Sequence, residues 1–315
     1  MVKVAVVQAG SALFDTPATL AKLERFAREA AADGAKLILF PEAFVGGYPK
    51  GAGFGAVVGS RSPDGRDLFR RYFESAITVP GAEAAAIGDV AAALGVHIVT
   101  GIIERCGGTL YCTVLHFDET GALIGRRRKL MPTASERLIW GMGDGSTLDV
   151  VPTPHGRVGA VICWENYMPM LRMAMYAGGV ELYCAPTVDD RDTWQATMRH
   201  IALEGRCFVL TAVQYLTRAD CPPDYRPIQG DAPDTVLIRG GSAIYGPLGE
   251  EIAAPVYGRE AVLSAEIDLG AARGKYDFDA VGHYSRPDIF TLHIDRRARK
   301  GVQTDPGEWN SATLD

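Results

Sequence analysis

Three polar side chains in this chain stand directly behind strand-like segments, two of them strongly apolar. Glu42 follows Leu37-Ile38-Leu39-Phe40-Pro41, Lys129 follows the segment 122–128, and Cys163 follows Val158–Ile162. Taken singly, each has a plain structural explanation. A cysteine at a strand end is a small buried hydrophobe, a glutamate there a turn residue and a lysine a surface charge. Taken together, a thiol, a carboxylate and an amine supply different parts of one nucleophilic mechanism. A thiol with an ordinary pKa of about 8.5 is mostly protonated at neutral pH, so attack demands a base close to it. None of the six histidines stands where the sequence argues for that role, and none pairs with another at metal-ligand spacing. In open α/β sheets ligands bind beyond the strand ends, which makes these three positions the natural place for a site.

The elements that must carry them alternate strand and helix twice. Residues 2–8 read as a buried strand, and 17–32 as a helix with Thr16 at its N-cap and Pro17 at its first position. The strand 37–40 stops at Pro41, and 43–64, rich in Gly and Pro, reads as a long loop of the kind that is usually functional. Helices are expected at 65–76 and 81–94 and a strand at 96–103. Strands at 110–118 and 122–128 come next, then a loop over 131–146 and the strand 158–162. The second alternation places a helix at 168–177, a strand at 180–185, a helix at 192–204 and a strand at 207–213. Short strands follow near 240–245, 251–255 and 259–267. Hairpin-like strands between the two alternations suggest a sheet covered by helices on one side and packed on a second sheet on the other.

The chain has 315 residues, 32 basic against 38 acidic side chains, and a formal net charge of -6. That balance argues against nucleic acid as a partner, and the one dense basic run, Arg126-Arg127-Arg128-Lys129, reads as a solvated strand end with one inward residue. No apolar run approaches the ~18 residues of a membrane helix, and the start of the chain lacks the features of a signal peptide. The six cysteines show no Cys-x-x-Cys spacing, which suits a reducing cytoplasm. Gly-x-Ser-x-Gly, Gly-x-x-x-x-Gly-Lys and His-Glu-x-x-His are all missing, and one loose Gly-x-Gly-x-x-Ala at Gly51–Ala56 ends no strand.

Three segments then become specific together. Phe40-Pro41-Glu42-Ala43-Phe44, Arg128-Lys129-Leu130-Met131-Pro132-Thr133 and Cys163-Trp164-Glu165-Asn166 resemble the signature segments of the nitrilase superfamily of carbon–nitrogen hydrolases. Glu136–Ser146, Leu182–Thr187, His200–Gly205 and Gly282–Asp288 are similar to nitrilases of the plant type and their bacterial relatives. The resemblance spans about residues 3–293, and Trp164 after the cysteine points to the nitrilase branch rather than to amidases or carbamoylases.

The resemblance implies a single-domain α/β fold, a four-layer α-β-β-α sandwich over residues 1–294, with 295–315 an extended tail. It implies a homodimer, or a larger and even spiral homo-oligomer, working without metal or organic cofactor on a small-molecule nitrile. Glu42 takes the role of base, Cys163 that of nucleophile, Lys129 that of the stabilising cation and Glu136 that of a second catalytic carboxylate. Trp164 offers a backbone donor, and Tyr48, Trp164 and Glu165 are candidate contacts to substrate or oxyanion. Phe44, Tyr48, Phe54, Trp140, Trp164 and Trp194 lie in or beside the loops after the strand ends and could enclose a flat apolar substituent. Arylaliphatic nitriles are therefore the expected substrates and carboxylic acid the expected product. Amide hydrolysis, nitrile hydration and cyanide conversion are the alternatives. A non-catalytic relative would be expected to have lost one of Glu42, Lys129 or Cys163, and all three are present.

Overall fold

The computed structural model describes residues 1–299. The first half of the chain runs β1 (Val2–Gln8), α1 (Thr16–Ala32), β2 (Leu37–Leu39), α2 (Pro63–Ser75), α3 (Ala82–Leu94), β3 (His97–Cys106), β4 (Thr109–Phe117) and β5 (Leu123–Arg128). The second half runs β6 (Val151–Thr153), β7 (Gly156–Ala160), α4 (Pro169–Ala177), β8 (Leu182–Thr187), α5 (Asp192–Gly205), β9 (Phe208–Val213) and β10 (Tyr215–Thr217). It closes with β11 (Val236–Tyr245), β12 (Glu251–Tyr257), β13 (Ala261–Ile267) and the short α6 (Gly270–Arg273).

Two sheets result. One has the order β13-β1-β2-β3-β4-β5; the other has the order β10-β11-β9-β8-β7-β6, with β12 added on β11. The strands β1, β2 and β3 are mutually parallel, as are β7, β8 and β9, and β13 closes the first sheet antiparallel to β1. Parallel strands buried on both faces need apolar residues at every position, not at alternate ones. In β1 the period of two sends Val4 and Val6 into the core between the sheets and Ala5 and Val7 into the layer under the helices. The core between the sheets joins Leu37, Leu39, Val99 and Val114 to Val158, Leu182, Leu210 and Ile244. Outside it, Leu23, Phe26, Ile87 and Ala91 of α1 and α3 cover the first sheet, while Met175, Trp194, Met198 and Ile201 of α4 and α5 cover the second. This is the α-β-β-α sandwich expected from the sequence.

The differences are local. The N-cap of α1 is Asp15, whose side chain accepts from the Ala18 N–H at 2.9 Å, and Thr16 is already helical, its hydroxyl donating to the Ser75 carbonyl. The strands β6 and β10, each of three residues, are too short to leave a pattern in the sequence. The basic run sends two residues inward, not one. Arg127 and Lys129 are buried on one side of the strand end, while Arg126 and Arg128 both grip Glu104 from the other side. Arg296 pairs with Asp149 at 2.6 Å, and the Arg299 N–H reaches Asp144 at 2.7 Å, so the first residues of the expected tail lie along the 144–149 segment. The rest of that expected tail, 300–315, lies outside the described residues.

Candidate active site

Glu42 is delivered by a kink at the end of β2. Ala43 adopts a left-handed φ of 50°, the Gly101 N–H donates to the Pro41 carbonyl at 3.1 Å, and Gln214 donates to the Glu42 carbonyl at 2.8 Å. A Cβ on Gly101 would stand 2.4 Å from the Pro41 oxygen and 2.7 Å from the Glu42 Cα, so the neighbouring strand must carry glycine there. Lys129 continues β5, and its backbone is held on both sides, its N–H donating to Cys112 and its carbonyl accepting from Gly143.

Cys163 opens a single 3₁₀ turn, 163–167, directly after the apolar strand, with a left-handed φ of 51°. A non-glycine residue in that region stores strain, and such residues cluster at working sites. The surroundings over-determine the conformation. Asn166 donates to the Cys163 and Val161 carbonyls at 2.7 and 2.9 Å, and the Tyr183 hydroxyl donates to Asn166.

The side chains meet between the two sheets. Lys129 Nζ donates to Glu42 Oε1 at 2.7 Å and to Glu136 Oε2 at 2.8 Å, all three groups being buried. The Glu42 carboxylate also accepts from the Cys112 thiol at 3.6 Å and from the Val188 N–H at 3.2 Å, and the Cys163 thiol is close enough for the two to shift each other's pKa. Glu136 is fixed by the Thr133 N–H at 2.6 Å and by the Tyr48 hydroxyl, which donates to Oε1 at 2.8 Å. Two carboxylates against one ammonium leave the cluster negative.

Burial raises the Glu42 carboxyl above its ordinary range, Lys129 opposes that shift and Glu136 adds to it. Burial and then Glu42 push the Cys163 thiol well up, against Lys129 and the nearby Thr187 hydroxyl. Burial pulls Lys129 down, but Glu42 and Cys163 more than restore it, and it stays a firm cation. The resting arrangement is therefore a protonated thiol facing a carboxylate of strengthened basicity, beside a permanent positive charge.

A cleft of about 190 Å³ opens onto this cluster, lined by residues that include Tyr48, Lys50, Glu136, Cys163, Trp164 and Arg191. Trp164 forms one wall: its indole donates to Asp189 at 2.8 Å, and Arg191 lies over the ring at 4.7 Å. Of the other aromatic residues expected to enclose a substituent, Phe44 is buried against Phe40, Trp194 is buried under α5, and Trp140 packs behind Tyr48 and donates to Tyr72. Phe54 stacks on Phe69 and Tyr72 away from the lining. The loop aromatics had a core to fill, so only Tyr48 and Trp164 face the cleft.

Glu165 also differs from expectation as a substrate contact. Both its oxygens are engaged below the site, with Arg127 at 3.0 and 2.6 Å, the Leu130 N–H at 2.7 Å and the Ile162 N–H at 3.0 Å. It ties the residue after Lys129 to the residue before Cys163. His200 is on the surface of α5 near Glu204. Arg127, Asn166, Thr187 and Gln214 escaped the sequence reading. Arg127 left a signal in the period of two along β5, which puts it on the same side as Lys129, and Asn166 and Thr187 lie within the family-like segments without a role being read for them. A larger groove of about 430 Å³ lies elsewhere, near Phe14, Arg71 and Asp220; it carries Cys221, pushed by burial up to about 11, and no lysine among its lining residues.

Residues 3–275 match the family profile of carbon-nitrogen hydrolases. The chain belongs to that family. A nitrilase of Bradyrhizobium diazoefficiens is 57% identical over 96% of this chain and 94% of its own. An aliphatic nitrilase of Sinorhizobium fredii is 55% identical over 96% and 98%. A bifunctional nitrilase/nitrile hydratase of Nicotiana tabacum is 54% identical over 93% and 86%. Among solved structures, a carbon–nitrogen hydrolase from Helicobacter pylori superposes with a TM-score of 0.67 at 20% identity, covering 86% of this chain and 91% of that one, and so shares the fold. The protein is a carbon–nitrogen hydrolase of the nitrilase branch, an enzyme acting on C–N bonds.

Proposed function

We propose that the enzyme converts nitriles to carboxylic acids and ammonia through a covalent intermediate on Cys163. The observation that supports this most is the buried Glu42–Lys129–Glu136 cluster with the buried Cys163 thiol beside it, at the mouth of the cleft. On attack, the thiol proton passes to Glu42 while sulfur bonds to the nitrile carbon, and the nitrogen takes up a proton to give a thioimidate. Lys129 and the backbone N–H of Trp164 face the developing negative charge. Water, deprotonated by Glu42, adds next. Cleavage of the C–N bond releases ammonia and leaves a thioester, which a second water hydrolyses to the acid. Cleavage of the C–S bond at the tetrahedral stage would instead release the amide. Glu136 acts by holding Lys129.

Tyr48 and Trp164 give the cleft one flat apolar wall each, enough to seat a single ring. We assign arylaliphatic nitriles of phenylacetonitrile size as preferred substrates, since an acetonitrile-sized one leaves most of the cleft unfilled. The family resemblance and the exposed apolar side chains Tyr167, Met170 and Leu203 on and beside α4 and α5 support a homo-oligomer. Six unpaired cysteines support a cytoplasmic setting. Among the described residues no helix is long and apolar enough to cross a membrane.

The test is a nitrile panel with acid and amide measured separately. Phenylacetonitrile is expected to exceed acetonitrile in kcat/KM, with acid as the main product, and Cys163→Ala is expected to abolish turnover while remaining folded. Turnover in the alanine variant would defeat the mechanism; a preference for acetonitrile would defeat only the pocket argument.

A further inference from the structure

At the opposite end of the parallel strands from Glu42, three side chains from distant parts of the chain meet. His97 opens β3, Glu119 lies in the turn between β4 and β5, and His155 lies in the turn between β6 and β7. The first two belong to one sheet and the third to the other. One ligand-capable atom from each lies within 4.8 Å of the others.

His97 is the decisive member. Its side chain is 1% exposed, and its Nδ1 stands 3.2 Å from Glu119 Oε2. Neither of those two atoms finds a hydrogen-bond partner of good geometry among the described residues. A buried ring nitrogen and a carboxylate oxygen this close, yet not aligned on each other, share a third point that both can address. Two ligands on a tetrahedral zinc, each at ~2.0–2.1 Å, stand ~3.3 Å apart, which matches the His97–Glu119 separation. His155 sits on a turn, half-buried, its ring centroid 6.2 Å from that of His97 and nearly perpendicular to it.

We propose that His97, Glu119 and His155 form a binding site for one divalent cation of the zinc class, which pins the two sheets together far from the catalytic cluster. Two imidazoles and one carboxylate are a zinc donor set, and water fills the fourth position. The role is structural: the cation links β3 and the β4–β5 turn to the β6–β7 turn and contributes stability, while hydrolysis proceeds without it. The three ligands are too far apart in sequence to form a motif, and only the stacking of the sheets assembles them.

The test starts from full-length protein exhaustively dialysed against chelator, in a Cys163→Ala background so that the nucleophile cannot capture metal. Titration with Zn²⁺ is expected to show one ion per chain, and excess Zn²⁺ at ~100 Kd to raise Tm by at least ~3 °C. Co²⁺ is expected to give a four-coordinate visible spectrum without a thiolate charge-transfer band. His155→Ala and Glu119→Gln, both at half-exposed positions, are each expected to weaken binding by more than ~10-fold and to remove the Tm rise. With Cys163 restored, His155→Ala is expected to keep the parent turnover in metal-free buffer. Absence of Zn²⁺ binding, or binding unchanged in both variants, would overturn the proposal and leave His97–Glu119 as a simple contact.

Discussion

At the scale of single residues, the proposed chemistry turns on Glu42 being a carboxylate in a place that disfavours carboxylates. Burial raises it first and Glu136 adds to that, with Lys129 in opposition. A base acts only when deprotonated, so kcat/KM is expected to fall as pH drops through the folded pKa of Glu42, with the acid limb above the ordinary 4.5. A pH profile flat down to 4.5 would contradict the assignment. The same shift has a sign for stability. A raised carboxyl contributes stability that is fully present below its unfolded pKa and lost as pH rises through its folded one. Glu42→Gln is therefore expected to abolish turnover yet hold or raise Tm at neutral pH, which a melting curve checks.

At the scale of elements, the positions of the side chains depend on how strand ends are pinned. Gly101 allows β3 to pass the Pro41–Glu42–Ala43 kink. Gly101→Ala forces those backbones apart and is expected to cost about 1–3 kcal/mol in urea denaturation, with at least a tenfold loss of kcat. An alanine variant with full kcat would show that Glu42 tolerates the displacement. The Arg127–Glu165 pair is the corresponding brace for Lys129 and Cys163. Arg127→Met strands the Glu165 charge and is expected to cost about 3–5 kcal/mol. The double variant Arg127→Met/Glu165→Leu is expected to regain part of that stability without regaining activity, because the bonds to the Leu130 and Ile162 N–H groups are gone. A double-mutant cycle in stability and kcat separates the two effects.

These elements also show what a linear reading can reach. Glu42 and Cys163 were visible because each follows an apolar run that must be a buried strand, and Lys129 because it ends a strand-like segment; strand ends on the same side of a sandwich converge. Glu136 was reachable only through the family resemblance, since a 3₁₀ turn inside a loop has no periodicity. Gln214, Thr187 and the Val188 N–H come from the second sheet, and nothing in local pattern says which residues of one sheet will face which residues of the other. The aromatic enclosure failed for the same reason. Phe44 and Trp194 neighbour the strand ends in sequence, but the helix layers claimed their rings.

At the scale of the molecule, the enzyme is expected to be at least a dimer, and light scattering that showed an active monomer at working concentration would refute this. Exposed Tyr167 and Met170 lie in the segment that leads out of the Cys163 turn, so association there would bear on the same turn that carries the nucleophile.

The pairing of β1 with β13 has a consequence for how the protein comes into being. Val2 pairs with Ile267, so β1 keeps one edge open until β13, far along the chain, has been made. The nascent chain meanwhile exposes a β-branched, apolar ribbon, the kind of edge that recruits other strands. The proposed nucleophile and its proposed base, Cys163 and Glu42, also come from different halves of the chain. No fragment short of β13 completes the first sheet, so the site is assembled only after β13 is made, and the interval before it is when the chain most needs shielding from its own copies.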